Sequence, residues 1–142
     1  MIGRTRFGQV LVGSYRLATD PRLEHPLSVR LDGTKAALLP GVSAPIEVEG
    51  EIDARGLADS KALSGRVRLD PWRPFAAHYE LDFSSNDGAA MVLRASKKLT
   101  LRDPLWSSST VRGEIFDDRG RAVARLELRI DYRRELRKWV LG

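Results

Sequence analysis

Two histidines and a run of hydroxyls are the residues of this chain whose types could support catalysis or metal binding. His25 lies in the loop-like segment Glu24-His25-Pro26, and His78 lies on the polar side of a predicted strand. Zinc needs three or four suitably spaced ligands, and neither histidine has another nearby in sequence. The hydroxyls at 107–110 lack the Gly-x-Ser-x-Gly turn that exposes a serine nucleophile. We therefore assign no catalytic residue and no metal ligand.

Four carboxylates follow one another at alternate positions, at Glu47, Glu49, Glu51 and Asp53. Alternate residues share one face of a strand, so this pattern indicates a solvated face more than an acid–base pair or a calcium site. The chain has no cysteine, which excludes disulfides and thiolate ligands. Its glycines form no Gly-x-Gly-x-x-Gly, so no nucleotide is expected to bind by that motif, and we assign no cofactor.

Aromatic side chains concentrate in the second half of the sequence. Most are expected in the core, because aromatic residues dominate the packing of small β domains. The alternative is that some line the mouth of a barrel and contact an apolar ligand. The candidate ligand-binding residues are Tyr79, Phe83, Trp106 and Phe116.

The elements that position these residues are strands with one apolar face. The longest alternation covers residues 122–132, where Ala, Leu, Ile and Tyr on one side alternate mostly with charged residues on the other. A strand with one face on a core and one in water produces this period of two. Similar patterns predict strands over 7–17, 27–31, 46–53, 65–70, 78–83, 89–95 and 111–115. If the strands at 46–53 and 65–70 pair, an acidic face meets a basic one.

Turn signals divide these strands. Asp32-Gly33 predicts a tight hairpin with a return strand over 35–39, and 86–88 and 118–120 predict two further turns. Residues 56–64 are expected to be irregular or briefly helical. Leu136 and Val140, four residues apart, predict a short C-terminal helix over 135–141.

About eight strands with short connections and no crossover helix predict an all-β, mostly antiparallel domain spanning residues 1–142. We expect a meander that is either closed into a barrel of the calycin or lipocalin type or folded into a sandwich. The barrel is favoured because closure removes exposed edges.

Charge and hydropathy limit the partners. The net charge of +5 comes from 24 basic and 19 acidic residues that are largely interspersed. This mixture is typical of a solvated surface, and no recognition motif or basic stripe with stacking aromatics predicts nucleic-acid binding. No apolar run approaches the roughly 20 residues that span a bilayer, and the start has no apolar signal core. The expected location is the cytoplasm.

Short motifs in the second half resemble those of a known family. The motifs are Gly65-Arg66-Val67, Tyr79-Glu80-Leu81-Asp82-Phe83, Asp87-Gly88, Leu93, Lys97-Lys98-Leu99, Asp103-Pro104-Leu105-Trp106, the run 107–111 and Gly120. Together they resemble, over roughly residues 46–135, the small β domain attached to some glucose–methanol–choline flavin oxidoreductases related to cholesterol oxidase. Ala95 stands where that family tends to have glycine, and serines 107–109 replace much of its threonine run.

The resemblance implies a β fold and an association with lipid or steroid metabolism, and it transfers no catalytic residue. The leading hypothesis is a non-catalytic accessory module that binds an apolar, lipid- or sterol-like ligand or docks to an oxidoreductase. A second is a small isomerase or hydrolase with an interior site, which a pocket joining His78, Glu80 or Asp82 to Arg66 or Arg68 would favour. A third is a protein that self-associates through edge strands or the basic segment 133–139.

Overall fold

A computed structural model of the protein describes residues 4–36, 45–70, 76–98 and 110–130. In these ranges each strand pairs antiparallel with the next in sequence, and the last pairs with the first, which closes a barrel of eight strands. The predicted all-β fold is confirmed, and the barrel forms in preference to the sandwich. The strands are β1 Arg4–Leu17, β2 Asp20–Ala36, β3 Ile46–Ala54, β4 Ala58–Asp70, β5 Ala76–Ser84, β6 Ala90–Lys98, β7 Thr110–Phe116 and β8 Ala122–Ile130.

The period of two in the sequence becomes an inner and an outer face. In β8, Ala124, Leu126, Leu128 and Ile130 are buried while the residues between them are exposed. In β5 the buried positions include Tyr79, Leu81 and Phe83, as the alternation predicted. The inward side chains of all eight strands form one apolar core.

The meander places short turns at one end of the barrel, which we call the turn end. Residues 18–19, 55–57, 85–89 and 117–121 make these turns. The predicted turns at 86–88 and 118–120 are confirmed, with backbone bonds of 2.9 Å from Gly88 N to Ser85 O and 3.0 Å from Gly120 N to Asp117 O. At the opposite end, β2, β4 and β6 lead into residues outside the described ranges.

The hairpin predicted at Asp32-Gly33 is wrong. β2 continues through this dipeptide to Ala36, because Asp32 pairs with Gly8 on one side and with Glu49 on the other. The turn before β2 lies instead at residues 18–19. The dipeptide signal is overridden by two flanking strands that satisfy the backbone hydrogen bonds of β2. Most of the predicted return strand, 37–39, lies outside the described residues.

The prediction of an irregular or helical segment at 56–64 is also wrong, because β4 begins at Ala58. A β-bulge hides the strand pattern: Ile52 pairs with Lys61 and Ala54 with Ala58, so Asp59 and Ser60 stand opposite one residue of β3. Ser60 has a φ of 47°. Its backbone N–H donates a hydrogen bond of 3.3 Å to Oδ1 of Asp53.

The bulge is tied to the neighbouring turn by a paired Asp and Asn. The backbone N–H of Asp59 donates to Asn86 Oδ1 at 2.9 Å, and Asn86 Nδ2 donates to Asp59 Oδ2 at 2.8 Å. The N–H of Gly56 also donates to Asp59. The hydrogen bonds that the Asp59 carboxylate accepts, from the N–H of Gly56 first and from the Asn86 amide second, hold the pKa of Asp59 below its ordinary value.

Inward-facing glycines let neighbouring strands approach closely. A Cβ added at Gly50 would lie 1.7 Å from the carbonyl oxygen of Arg30 on β2. Only glycine permits this approach, and such positions help a sheet curve into a barrel.

Neither the predicted C-terminal helix nor the basic segment 133–139 falls within the described residues. In the described part of the chain there is no helix long and apolar enough to cross a membrane.

Candidate interaction surface

The structure does not bring together the side chains of the predicted ligand-binding aromatics that it describes. Tyr79 and Phe83 point into the barrel and are 3% and 6% exposed. Phe116 lies half-buried on the outer face of β7, where the guanidinium carbon of Arg94 is 5.6 Å from its ring centroid. Trp106 lies outside the described residues. Tyr79 and Phe83 therefore belong to the core, and Phe116 belongs to a different surface.

A hydrogen bond crosses the barrel interior near the end opposite the turns. The Tyr79 hydroxyl on β5 donates a hydrogen bond of 2.9 Å to Oε1 of Gln9 on β1. Three strands separate β1 from β5 in either direction around the barrel, so the bond joins opposite walls. The two side chains thus occupy space that a ligand entering from this end would need.

A second tyrosine fills the interior toward the turn end. Tyr15 of β1 is 2% exposed, and its hydroxyl donates to the carbonyl oxygen of Arg55 in the β3–β4 turn. Its ring stacks on that of His25, with centroids 5.1 Å apart. Burial, and then the negative charge of Asp59, raises the pKa of the Tyr15 hydroxyl.

Apolar side chains pack between the two tyrosines. Ser85 is the buried polar residue in the part of the chain that the structure describes, and its hydroxyl accepts a 3.2 Å bond from the N–H of Ala89. The most deeply buried of the large apolar side chains, apart from Tyr15, are Leu11, Val29, Leu31, Ile52, Val67, Leu81, Leu93, Val111, Ile115 and Leu128.

In the ranges that the structure describes, no group of three or more His, Asp or Glu residues could hold a metal ion.

The outer face presents charge in rows that run across the strands. Cross-strand partners on this face point the same way and lie side by side. In one of these rows, which we call the alternating row, the charge of the side chain changes sign at each step from β3 to β8. It consists of Glu47, Arg66, Glu80, Arg94, Glu114 and Arg125.

The predicted charge complementarity of β3 and β4 is therefore only partly realised. Glu47 stands opposite Arg66, but Glu49 faces Ser64 and Glu51 faces Ala62.

The neighbouring row carries hydrogen-bond donors and no carboxylate, and we call it the donor row. Arg68 of β4 pairs with His78 of β5, His78 with Ser96 of β6, and Ser96 with Arg112 of β7. Arginine, histidine and serine can all donate hydrogen bonds to an anion. The donor row ends at Arg112, because the next outer-face residue in this direction is Glu127 of β8, which forms an ion pair with Arg112 at 3.7 Å.

The donor row and the members of the alternating row on β4–β7 line a groove of about 760 Å³ on the outer face of these four strands. We call it the outer groove. Ser96 and the backbone of Gly113 contribute small groups to its lining, while Pro45 and Phe116 add apolar surface. Four arginines outnumber two glutamates along it, so its potential is positive.

The arginines of the groove differ in how they are held. Arg94 pairs with Glu80 at 3.9 Å and lies over Phe116, whereas Arg112 pairs with Glu127. Among the described residues, no ion pair forms within 4.0 Å at Arg66 or Arg68. Two cationic side chains are therefore available to an incoming anion.

No protein-family model, curated protein or solved structure matches this chain. The alternation in the sequence indicated the polar faces of β4, β5 and β7, and it placed His78, Glu80 and Asp82 outward as observed. It did not signal the outer groove, because the alignment of Arg68 with Arg112 depends on the register of four strands.

Proposed function

We propose that this protein is a non-catalytic β-barrel module that acts by docking to a partner protein through its outer face. The observation that carries the proposal is the filled interior, which the Tyr79–Gln9 hydrogen bond crosses near one end and Tyr15 occupies toward the other. A packed interior supports docking over the enclosure of an apolar ligand, because a ligand cavity in an eight-stranded barrel needs the space that these side chains occupy.

The family resemblance suggests the first partner to test. The motifs between residues 46 and 135 resemble a domain that is attached to flavin oxidoreductases of lipid and sterol metabolism. A β-barrel module of this kind could associate non-covalently with such an enzyme. The proposal is therefore an accessory subunit of a cholesterol-oxidase-type flavoenzyme.

Native mass spectrometry tests docking against ligand carriage. The protein is purified from a lipid-containing host and measured before and after organic extraction. We expect the 15.9 kDa mass of the bare polypeptide in both spectra. An additional mass in the range of a fatty acid or sterol, lost on extraction, would contradict the docking proposal and favour an apolar-ligand carrier.

The partner is tested by mixing the protein with a purified cholesterol-oxidase-type flavoenzyme from the same host. Size-exclusion chromatography with light scattering then reports the mass of the eluted species. A complex of the summed masses supports the proposal. Separate elution at micromolar concentrations would contradict this choice of partner.

A second candidate is an enzyme that uses the outer groove, because the groove joins His78 and Glu80 to Arg66 and Arg68. The groove lies outside the barrel, however, and Glu80 is 53% exposed. Catalysis by positioned charges is strongest where water is excluded. The same groups are better suited to holding an anion than to transforming one. A His78→Ala variant that retains the activity of any reaction found would contradict the enzyme candidate.

A further inference from the structure

We propose that the outer groove binds an extended acidic segment of the partner, with carboxylates at alternate positions. This inference rests on the proposed docking function and names the surface and the partner's chemistry. It is carried by the donor row, in which four neighbouring strands present Arg68, His78, Ser96 and Arg112 without an intervening carboxylate.

The spacing of the donor row matches an extended peptide that runs across the strands. Arg68 and Arg112 are three strands apart, which is about 14 Å at the usual inter-strand distance. Residues i and i+4 of an extended chain lie on one side and are also about 14 Å apart. Carboxylates at i and i+4 therefore reach the two arginines, and residue i+2 reaches His78 and Ser96 between them.

The groove is organised to receive such a segment. Arg112 forms an exposed ion pair with Glu127 at 3.7 Å, whereas Arg68 has no ion-pair partner among the described residues. Arginine binds carboxylates in a fork geometry that gives direction as well as affinity. The small groups at Ser96 and Gly113 leave room for a peptide backbone between the longer side chains.

The adjacent alternating row favours a protein partner over a nucleic acid. Glu80 and Glu114 lie one row away from the donors and are themselves part of the groove. A phosphate backbone has a uniform negative charge that these carboxylates repel. A peptide with carboxylates at i, i+2 and i+4 carries its negative charge only on the side that faces the donor row, so it avoids much of this repulsion.

Fluorescence anisotropy tests the inference with a labelled nine-residue peptide of alternating Glu and Thr at low ionic strength. We expect it to bind, and to bind more weakly as salt is added. A peptide of the same composition with its glutamates in one block should bind several-fold more weakly. Failure of the alternating peptide to bind, equal binding of the block peptide, or tighter binding of a nine-nucleotide dT strand would each overturn the proposal.

Matched variants locate the site. The double variant R68S/R112S should weaken peptide binding about tenfold, because both ends of the donor row are removed. Arg129 is an exposed outer-face residue of β8 that does not line the groove, so R129S should change binding less than twofold. Thermal melting of each variant checks that the barrel is intact. An equal loss in R129S, or no loss in the double variant, would show that the donor row is not the site.

These outcomes are separable from those of the proposed function. A retained lipid in the native mass spectrum would contradict docking whatever the peptide does. If R68S/R112S specifically loses peptide binding and no complex with the flavoenzyme forms, the groove is supported as a peptide site and the flavoenzyme is excluded as the partner. If R68S/R112S forms the flavoenzyme complex as well as the unmodified protein does, the docking function is supported, and the proposal that the groove is the docking surface is contradicted.

Discussion

The hydroxyl of Tyr79 donates a 2.9 Å hydrogen bond to Gln9 across the barrel, from β5 to the opposite strand β1. The two residues are 70 positions apart in sequence. Their contact makes this part of the barrel a packed core rather than a lumen. It therefore ties the arrangement of the interior to the proposed function, which places binding on the outside.

Shortening Tyr79 should destabilise the protein strongly. Tyr79→Ala removes a large side chain that is 3% exposed and should lower the free energy of unfolding by about 3–5 kcal/mol. Tyr79→Phe removes only the hydroxyl and should cost about 1 kcal/mol. Urea denaturation followed by circular dichroism measures both changes.

Phe116→Ala serves as the comparison, because Phe116 is half-buried on the outer face. Its loss should be smaller than that of Tyr79→Ala, at about 1 kcal/mol. A loss below about 1 kcal/mol for Tyr79→Ala would contradict its place in the core.

Gly50→Ala should destabilise the barrel because the added Cβ would lie 1.7 Å from the carbonyl oxygen of Arg30. Backbone, not a flexible side chain, must shift to admit the methyl group, at a cost of about 3 kcal/mol. At Gly88, a turn position with φ of +86°, no atom lies within 4 Å of an added Cβ. Gly88→Ala should therefore lose only about 1 kcal/mol from backbone strain. Equal losses at the two sites would argue against close strand approach at Gly50.

Alkaline pH should weaken the fold through Tyr15. Burial and the nearby Asp59 charge raise the pKa of Tyr15 in the folded state above that in the unfolded state. The resulting stability is fully present below the unfolded-state pKa of about 10, and it is lost as pH rises through the folded-state pKa. In Tyr15→Phe the free energy of unfolding should decline less between about pH 9 and 11. An unchanged pH profile would show that another group governs the decline.

Acid should act on the hydrogen-bonded pair of Asp59 and Asn86. The pKa of Asp59 is lowered by the N–H of Gly56 first and by the Asn86 amide second. This contribution to stability is present above the unfolded-state pKa and is lost as pH falls through the lower, folded-state pKa. Asn86→Ala should move the pKa of Asp59 upward toward its ordinary value, as carboxyl chemical shifts in an NMR titration report. Asp117, whose pKa is lowered by the backbone N–H of Arg121, provides the internal control and should not move.

Much of the barrel could be predicted from local patterns. Alternation identified β3, β5, β7 and β8 and assigned the correct residues to each face, because the side chains of a strand point to its two faces in turn. The turn at 86–88 was also predictable, because Gly88 supplies the positive φ that the turn needs.

The errors occurred where neighbouring strands overrode a local signal. Asp32-Gly33 has the composition of a turn, yet β1 and β3 bind it on both sides as strand. At Asp59 and Ser60 an extra residue shifts the alternation of apolar and polar residues, so the sequence did not predict a strand at the beginning of β4. Neither effect is visible within a window of a few residues, because each depends on a partner strand.

The sequence by itself determined most of the strands, their inner and outer faces and an antiparallel meander, because these follow from a period of two and from short turns. Only the tertiary structure decided that β8 closes onto β1, that Tyr79 meets Gln9, and that Arg68 and Arg112 belong to one row. Closure and register depend on how all eight strands pack around one core. The position of a residue in its own strand therefore establishes its face, but not its neighbours across the barrel.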